Sequence, residues 1–156
     1  MRSAFSFALL LCLLAPTTAT SLGRTDVQWE MADDGKGELR RARFFVSDAG
    51  CAYRIMADPK TMLRSFPFLE DVSVQRDTGL EQEVTLRERF FPVGVVESSY
   101  NRHLDGSTQV QWTLISGMQK RHEGIWQVVP DGEGSRIEFF NIIEAKSWIH
   151  QRILNG

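Results

Sequence analysis

Residues 52–74 read AYRIMADPKTMLRSFPFLEDVSV, and this stretch decides the fold. Its first helix-favouring run stops at Asp58, because Pro59 lacks the N–H that a helix interior needs and disfavours helical geometry at the residue before it. A second short apolar run ends at Phe66, before Pro67, and strand-like residues follow. The stretch therefore predicts two short helices in succession, inside a chain that is otherwise patterned as β-strands.

Runs of alternating apolar and polar residues lie on both sides of this stretch. Two predicted strands, 27–30 and 38–46, precede it, and the Asp34-Gly35 step between them favours a hairpin turn. A run of further strands follows, separated by turn residues such as Asp-Gly and Pro-Val-Gly. Their expected bounds are 70–77, 81–92, 94–104, 108–117, 122–130 and 135–145. The predicted class is α+β, with a sheet of about seven strands.

A short helix is expected at the end of the chain, over 145–155, where Ile149 and Ile153 stand four residues apart on one helical face. Alternation along the strands indicates which face of the sheet is buried. One such apolar face needs a cover, and the helices are the only elements that could supply it.

The first nineteen residues have the pattern of a secretory signal peptide. Arg2 supplies a positive charge, residues 4–15 form an apolar run, and small residues around Ala19 suit a signal peptidase. The run is shorter than the ~20 apolar residues of a transmembrane helix, although an N-terminal anchor is the alternative. We therefore expect cleavage near Ala19, a secreted or periplasmic protein, and one folded domain over 20–156.

The composition argues against several classes of partner. The chain has 18 Lys and Arg against 20 Asp and Glu, so its charge does not suggest nucleic-acid binding. The Lys120-Arg121-His122 cluster is weak evidence for membrane contact, and a solvated strand start is the alternative. After cleavage Cys51 would be the only cysteine, so we expect a small buried apolar residue outside any intrachain disulfide. A monomer is expected.

The sequence contains no clear catalytic or metal-binding motif, and nothing in it requires a cofactor. The serines lack the flanking glycines of a nucleophile elbow, and His103, His122 and His150 are too far apart in sequence for a local metal pair. His122 is adjacent to Glu123, and adjacent side chains on a strand point to opposite faces. We therefore expect His122 to be solvated.

Several short motifs occur in a characteristic order. The strand end Phe45-Val46-Ser47 leads to an aromatic residue and then an aspartate, Tyr53 and Asp58. A proline-containing segment, Phe66 to Val72, comes next, and later a Gly-x-Trp strand from Gly124 to Pro130 precedes the Asp131 to Ser135 turn. This order and spacing resemble the START-like, or helix-grip, superfamily (SRPBCC), and within it the polyketide cyclase/dehydrase and coenzyme Q-binding group.

The resemblance implies a strongly curved antiparallel sheet around a long C-terminal helix, with two short helices after the second strand. It also implies an apolar cavity between sheet and helix that holds lipids, quinones or polyketides. In this chain the terminal helix would have about ten residues and span roughly 15 Å. We expect it to cover the sheet only in part, to leave one end of the cavity open, or to be truncated in this sequence.

The leading hypothesis is an exported binding or transport protein for a hydrophobic ligand, with these residues lining its cavity: Val84, Leu86, Phe90, Tyr100, Trp112, Leu114, Trp126, Phe139 and Trp148. Glu88 and Arg102, with Tyr100, would orient the ligand. Both charged residues lie on apolar strand faces and would share one cavity wall if strands 81–92 and 94–104 pair. The alternative is that a bulge turns one of them to the surface.

Two other functions are compatible with the same sequence. In a cyclase or aromatase-like enzyme, Glu88, Tyr100 and Arg102 would act as acid–base groups, although export argues against this because activated polyketide intermediates are normally held on cytoplasmic carriers. In a non-catalytic interaction domain, an exposed face with Trp148, Ile149 and Ile153 would bind a partner.

Overall fold

The computed structural model describes residues 26–31, 38–46, 48–90, 93–132 and 134–146. The side chains of 26–31, 38–41, Phe44 and Phe90 are not described. Within these ranges the chain forms eight strands and two helices. They are β1 (Asp26–Met31), β2 (Glu38–Val46), α1 (Ala49–Ala57), α2 (Pro59–Ser65), β3 (Leu69–Asp77), β4 (Glu81–Phe90), β5 (Gly94–Asp105), β6 (Gln109–Ser116), β7 (Gln119–Asp131) and β8 (Gly134–Ala145).

The described strands form one antiparallel sheet in the order β1-β2-β8-β7-β6-β5-β4-β3. From β3 to β8 each strand pairs with the next in the chain, and β2 returns to pair with β8, where Ala42 lies opposite Phe139. The sheet is open and curved, with β1 and β3 at its edges. The predicted α+β class is confirmed. The sheet has eight strands, one for each of the eight predicted runs, so the total of about seven was one too few.

Two aspartates set the bounds of the helices. The carboxylate of Asp48 accepts a hydrogen bond from the backbone N–H of Cys51 at 2.8 Å and caps α1. Asp58 ends α1 and caps α2, accepting from the backbone N–H of Thr61 at 3.0 Å. Pro59 occupies the first turn of α2, where its missing N–H leaves no helical bond unmade. The predicted break between two short helices follows from these contacts.

The two helices cover one face of the sheet, as the alternation predicts. α1 packs against β6, β7 and β8, and α2 packs against α1 and β3. On the covered face Val110, Trp126 and Ile137 are almost completely buried. Neither described helix is long and apolar enough to cross a membrane.

Cys51 is half-buried against the core and is disulfide-bonded in this structure. The expectation of a small apolar residue outside any intrachain disulfide concerns the chain after cleavage near Ala19, and it stays a prediction. The predicted signal peptide, over 1–19, lies outside the described residues. The part of the predicted terminal helix beyond Lys146, including Trp148, Ile149 and Ile153, also lies outside them.

Candidate functional site

A cavity lies between the helical cover and the inner face of the sheet. Its volume is about 130 Å³. Its apolar wall is formed by Met56, Met62, Phe66, Phe68, Leu69, Val84, Leu86, Trp112 and Phe139. Its polar groups are Glu88, Tyr100, Arg102, His122 and Asn141.

The structure brings seven of the eleven predicted ligand-binding residues to this cavity: Val84, Leu86, Glu88, Tyr100, Arg102, Trp112 and Phe139. Two others lie elsewhere on the sheet. Trp126 is 1% exposed and packs in the core beside Phe139, and Leu114 lies opposite Tyr100 without reaching the cavity. Alternation identifies the face of a residue but not its position along the cavity, which explains both differences. The side chain of Phe90 and all of Trp148 fall outside the described residues.

The helices and the loop after them supply a part of the wall that strand alternation could not predict. Met56 belongs to α1 and Met62 to α2, while Phe66 and Phe68 flank Pro67 in the connection to β3. All four lie in the stretch that decides the fold, and their apolar character was the available signal. The helical cover therefore contributes directly to the site.

The expectation that His122 is solvated is wrong. β7 begins at Gln119, three residues before its predicted start, and its register places His122 opposite Ile143. The imidazole consequently lies on the inner face with Gly124 and Trp126, while Glu123 points the other way, as adjacency on a strand requires. His122 is half-buried and lines the cavity.

Tyr100 and His122 form a hydrogen bond on the cavity wall, with the phenolic oxygen and Nδ1 2.9 Å apart. Their rings meet edge to face with centroids 5.3 Å apart, and Trp112 stacks on Phe139 beside them. Burial, with a smaller contribution from the carboxylate of Glu88, raises the pKa of Tyr100 well above its usual range. The phenol therefore stays protonated at physiological pH.

Arg102 is buried in the same wall, with 3% of its surface exposed. Its Nη1 donates to Oε1 of Gln82 at 3.0 Å, and Nε2 of Gln82 donates to Oδ2 of Asp77 at 3.1 Å. Nη2 has no hydrogen-bond partner within the described structure. Burial lowers the pKa of Arg102 to about 10, so the guanidinium remains charged at neutral pH.

Glu88 and Arg102 share the cavity wall, which is one of the two alternatives that the sequence left open, and the β4–β5 register has no bulge that would turn either outward. They lie far apart along it, however. Gln82 is the residue opposite Arg102, and Glu88 follows six residues later on β4, up to about 20 Å away. Burial raises the pKa of Glu88 to about 7. The Glu88 side chain is only half-buried because it faces the cavity. The protein atoms around its carboxyl nevertheless desolvate it.

The described residues contain no group of three or more His, Cys, Asp or Glu side chains arranged to hold a metal. Asn141 adds one more polar atom to the cavity region. Its Oδ1 is buried and has no hydrogen-bond partner in the described structure. The chemistry that the site offers is therefore apolar burial, one cation, one carboxyl of raised pKa and a phenol–imidazole pair.

Solved structures from several bacteria share this fold. A STAR-related lipid transfer protein from Xanthomonas axonopodis superposes with a TM-score of 0.65 at 16% identity, covering 86% of this chain and 88% of that one. A START superfamily protein from Mycobacterium smegmatis gives 0.63 at 12% identity, with 75% and 86% covered. The Zhui aromatase/cyclase from Streptomyces sp. R1128 gives 0.60 at 16% identity, with 70% of each chain covered.

No model of a known protein family matches the sequence, and no curated protein matches it significantly. The likeness to the solved structures, all under 25% identical, concerns the fold. As far as the fold is concerned, the resemblance inferred from the order of motifs is confirmed, because the chain has the START-like fold.

Proposed function

We propose that the protein is an exported binding or carrier protein for a hydrophobic small molecule. The observation that carries the proposal is the cavity, whose wall is apolar except for five side chains. Small-molecule sites typically combine such a wall with a few convergent polar groups. A ligand that fills the cavity gains about 25 cal/mol for each Å² of apolar surface that leaves water.

The size of the cavity indicates which part of a ligand it would enclose. An engineered apolar cavity of about 150 Å³ holds a single benzene, so the free space here suits a ring or a short chain segment. The unbranched side chains of Met56 and Met62 line the helical side and can rearrange more readily than branched ones. A lipid, quinone or polyketide-like molecule would enter by displacing this side of the wall.

The names of the similar solved structures support the same chemistry. They include a lipid transfer protein and an aromatase/cyclase. These descriptions belong to those proteins, and for this chain they support a hydrophobic ligand as the occupant of the cavity. Export rests on the signal-peptide pattern of residues 1–19. The mass of the protein recovered from outside the cytoplasm tests it, since cleavage near Ala19 is expected.

The binding experiment uses the purified protein and an apolar fluorescent dye, Nile red. Native mass spectrometry and solvent extraction of the same preparation report any ligand that co-purifies. We expect saturable dye binding in competition with extracted lipids. Replacing Leu86 on the cavity wall with tryptophan should fill the space and reduce binding, whereas Leu80→Trp, at an exposed turn position, is the matched control. Failure of the dye to bind, together with the absence of any co-purifying ligand, would contradict the proposal.

A second candidate is a cyclase or aromatase-like enzyme, and two observations favour it. The Tyr100–His122 hydrogen bond and the raised pKa of Glu88 place acid–base groups on one cavity wall. A carboxyl that titrates near neutral pH suits proton transfer. Under this hypothesis Glu88→Gln abolishes turnover of a poly-β-ketone substrate and spares its binding; unchanged turnover would exclude it. The interaction-domain hypothesis depends on Trp148, which lies outside the described residues.

A further inference from the structure

The charge of Arg102 is not balanced by any direct contact. Its side chain is buried, and none of the ion pairs in the described structure includes it. Among the described residues, the hydrogen-bond partner of its guanidinium is the neutral amide of Gln82. A buried cation costs several kcal/mol unless it is paired. This position therefore favours an anionic group brought by something other than the described residues.

Two aspartates, Asp77 and Asp58, interact electrostatically with Arg102, but their carboxylates already accept other hydrogen bonds. Asp77 accepts from Gln82 at 3.1 Å and from the backbone N–H of Gly79 at 2.8 Å. Asp58 caps α2 through the backbone N–H of Thr61. Both influence Arg102 through space, but neither forms an ion pair with it. Within the described part of the chain, the second guanidinium nitrogen, Nη2, is a buried donor without an acceptor.

Arg102 also holds a particular place on the cavity. Among the described residues that line it, Arg102 is the sole lysine or arginine, and the remaining length of the wall toward Glu88 is mostly apolar. A guanidinium and a carboxylate form short, charge-assisted hydrogen bonds about twice as strong as neutral ones. A second anionic group at the far end would be repelled by the carboxylate form of Glu88 and would lack a cation.

We infer that the ligand is an amphipathic monocarboxylic acid, whose carboxylate accepts hydrogen bonds from Arg102 and whose apolar chain or ring lies along Leu86, Trp112 and Phe139. This assignment rests on the proposed binding function and specifies its ligand class. Gln82 and Asp77 act as positioning residues that hold the guanidinium at the wall.

The test compares decanoate, decanol and methyl decanoate as competitors of Nile red at about neutral pH. We expect decanoate to displace the dye at concentrations about tenfold lower than the alcohol or the ester, since a hydrogen bond to a charged group is stronger than one between neutral groups. In Arg102→Met, decanoate should lose this advantage while the alcohol still competes. Arg87→Met, the same change at an exposed position of β4, should leave every competitor unaffected.

Equal competition by decanoate and decanol in the wild-type protein would overturn the inference and leave the proposed function standing. So would an Arg102→Met protein that keeps the preference for decanoate. Absence of dye binding altogether would instead contradict the proposed function. The wild-type comparison needs no variant, so it decides the question even where circular dichroism shows that Arg102→Met is unfolded.

Discussion

The hydroxyl of Tyr100 on β5 and Nδ1 of His122 on β7 lie 2.9 Å apart, so their hydrogen bond reaches across β6. The contact joins two strands that do not pair directly. It also places a phenol and an imidazole side by side on the cavity wall. Their backbone positions are separated by 22 residues in sequence, and the sheet register brings them together.

Tyr100→Phe should destabilise the fold by about 1 kcal/mol, because it removes this hydrogen bond and leaves the imidazole nitrogen without its partner. Urea unfolding followed by far-UV circular dichroism measures the change. Tyr53→Phe is the control, since Tyr53 is half-buried and makes no side-chain hydrogen bond in the described structure. Equal stability of Tyr100→Phe and Tyr53→Phe would show that the Tyr100–His122 contact contributes nothing to folding.

Glu88 should make the stability of the protein depend on pH. Burial raises its pKa from 4.5 to about 7, so between these values the folded protein keeps a proton that the unfolded chain has released. The free energy of unfolding therefore falls by up to about 3 kcal/mol as the pH rises through this window, and it stays low above it.

Glu88→Gln should remove this loss, raising stability at about pH 8 and changing it little at about pH 4. Chemical denaturation at both pH values provides the measurement. Glu83→Gln lies on the opposite face of β4 and serves as the control. A variant equally stabilised at both pH values would mean that the effect does not come from the ionisation of Glu88.

Gly124→Ala should disturb the cavity wall. A Cβ at this position would overlap the indole ring of Trp112 and the backbone carbonyl of Phe140. Because backbone cannot yield as a flexible side chain does, we expect a loss of roughly 1–3 kcal/mol and a shifted tryptophan fluorescence maximum. In the control Gly50→Ala, the new methyl group has ordinary contacts within α1. That change should be neutral or stabilising, since alanine favours helix by about 1 kcal/mol.

Asp58→Ala should loosen the helical cover, because this carboxylate caps α2 at the point where α1 ends. We expect a loss of about 1 kcal/mol, typical of an N-cap, together with faster hydrogen exchange in α2. Asp58→Asn retains an acceptor oxygen and should preserve most of the stability. Slow exchange in Asp58→Ala would indicate that packing of Met62, not the cap, holds the helix in place.

The inner face of the central strands was predictable because side chains alternate strictly along a strand. Val84, Leu86 and Glu88 were assigned to one face of β4, and all three line the cavity. The same logic could not place Trp126, which shares the inner face but packs in the core. It was not applied to His122, which has the parity of Trp126 within the predicted strand 122–130 and lies on the inner face.

Features that depend only on neighbouring residues can be read directly from the sequence. Pro59 breaks the helix after Asp58 because it has no N–H to donate, and alternation assigns the strand faces without knowledge of the partner strands. Which residues meet across the sheet depends on the folded arrangement of the strands. Strand register sets the Tyr100–His122 hydrogen bond and the Arg102–Gln82 pair. Burial in that context gives Glu88 its raised pKa, since desolvation depends on every atom packed around a group and not on the order of residues in the chain.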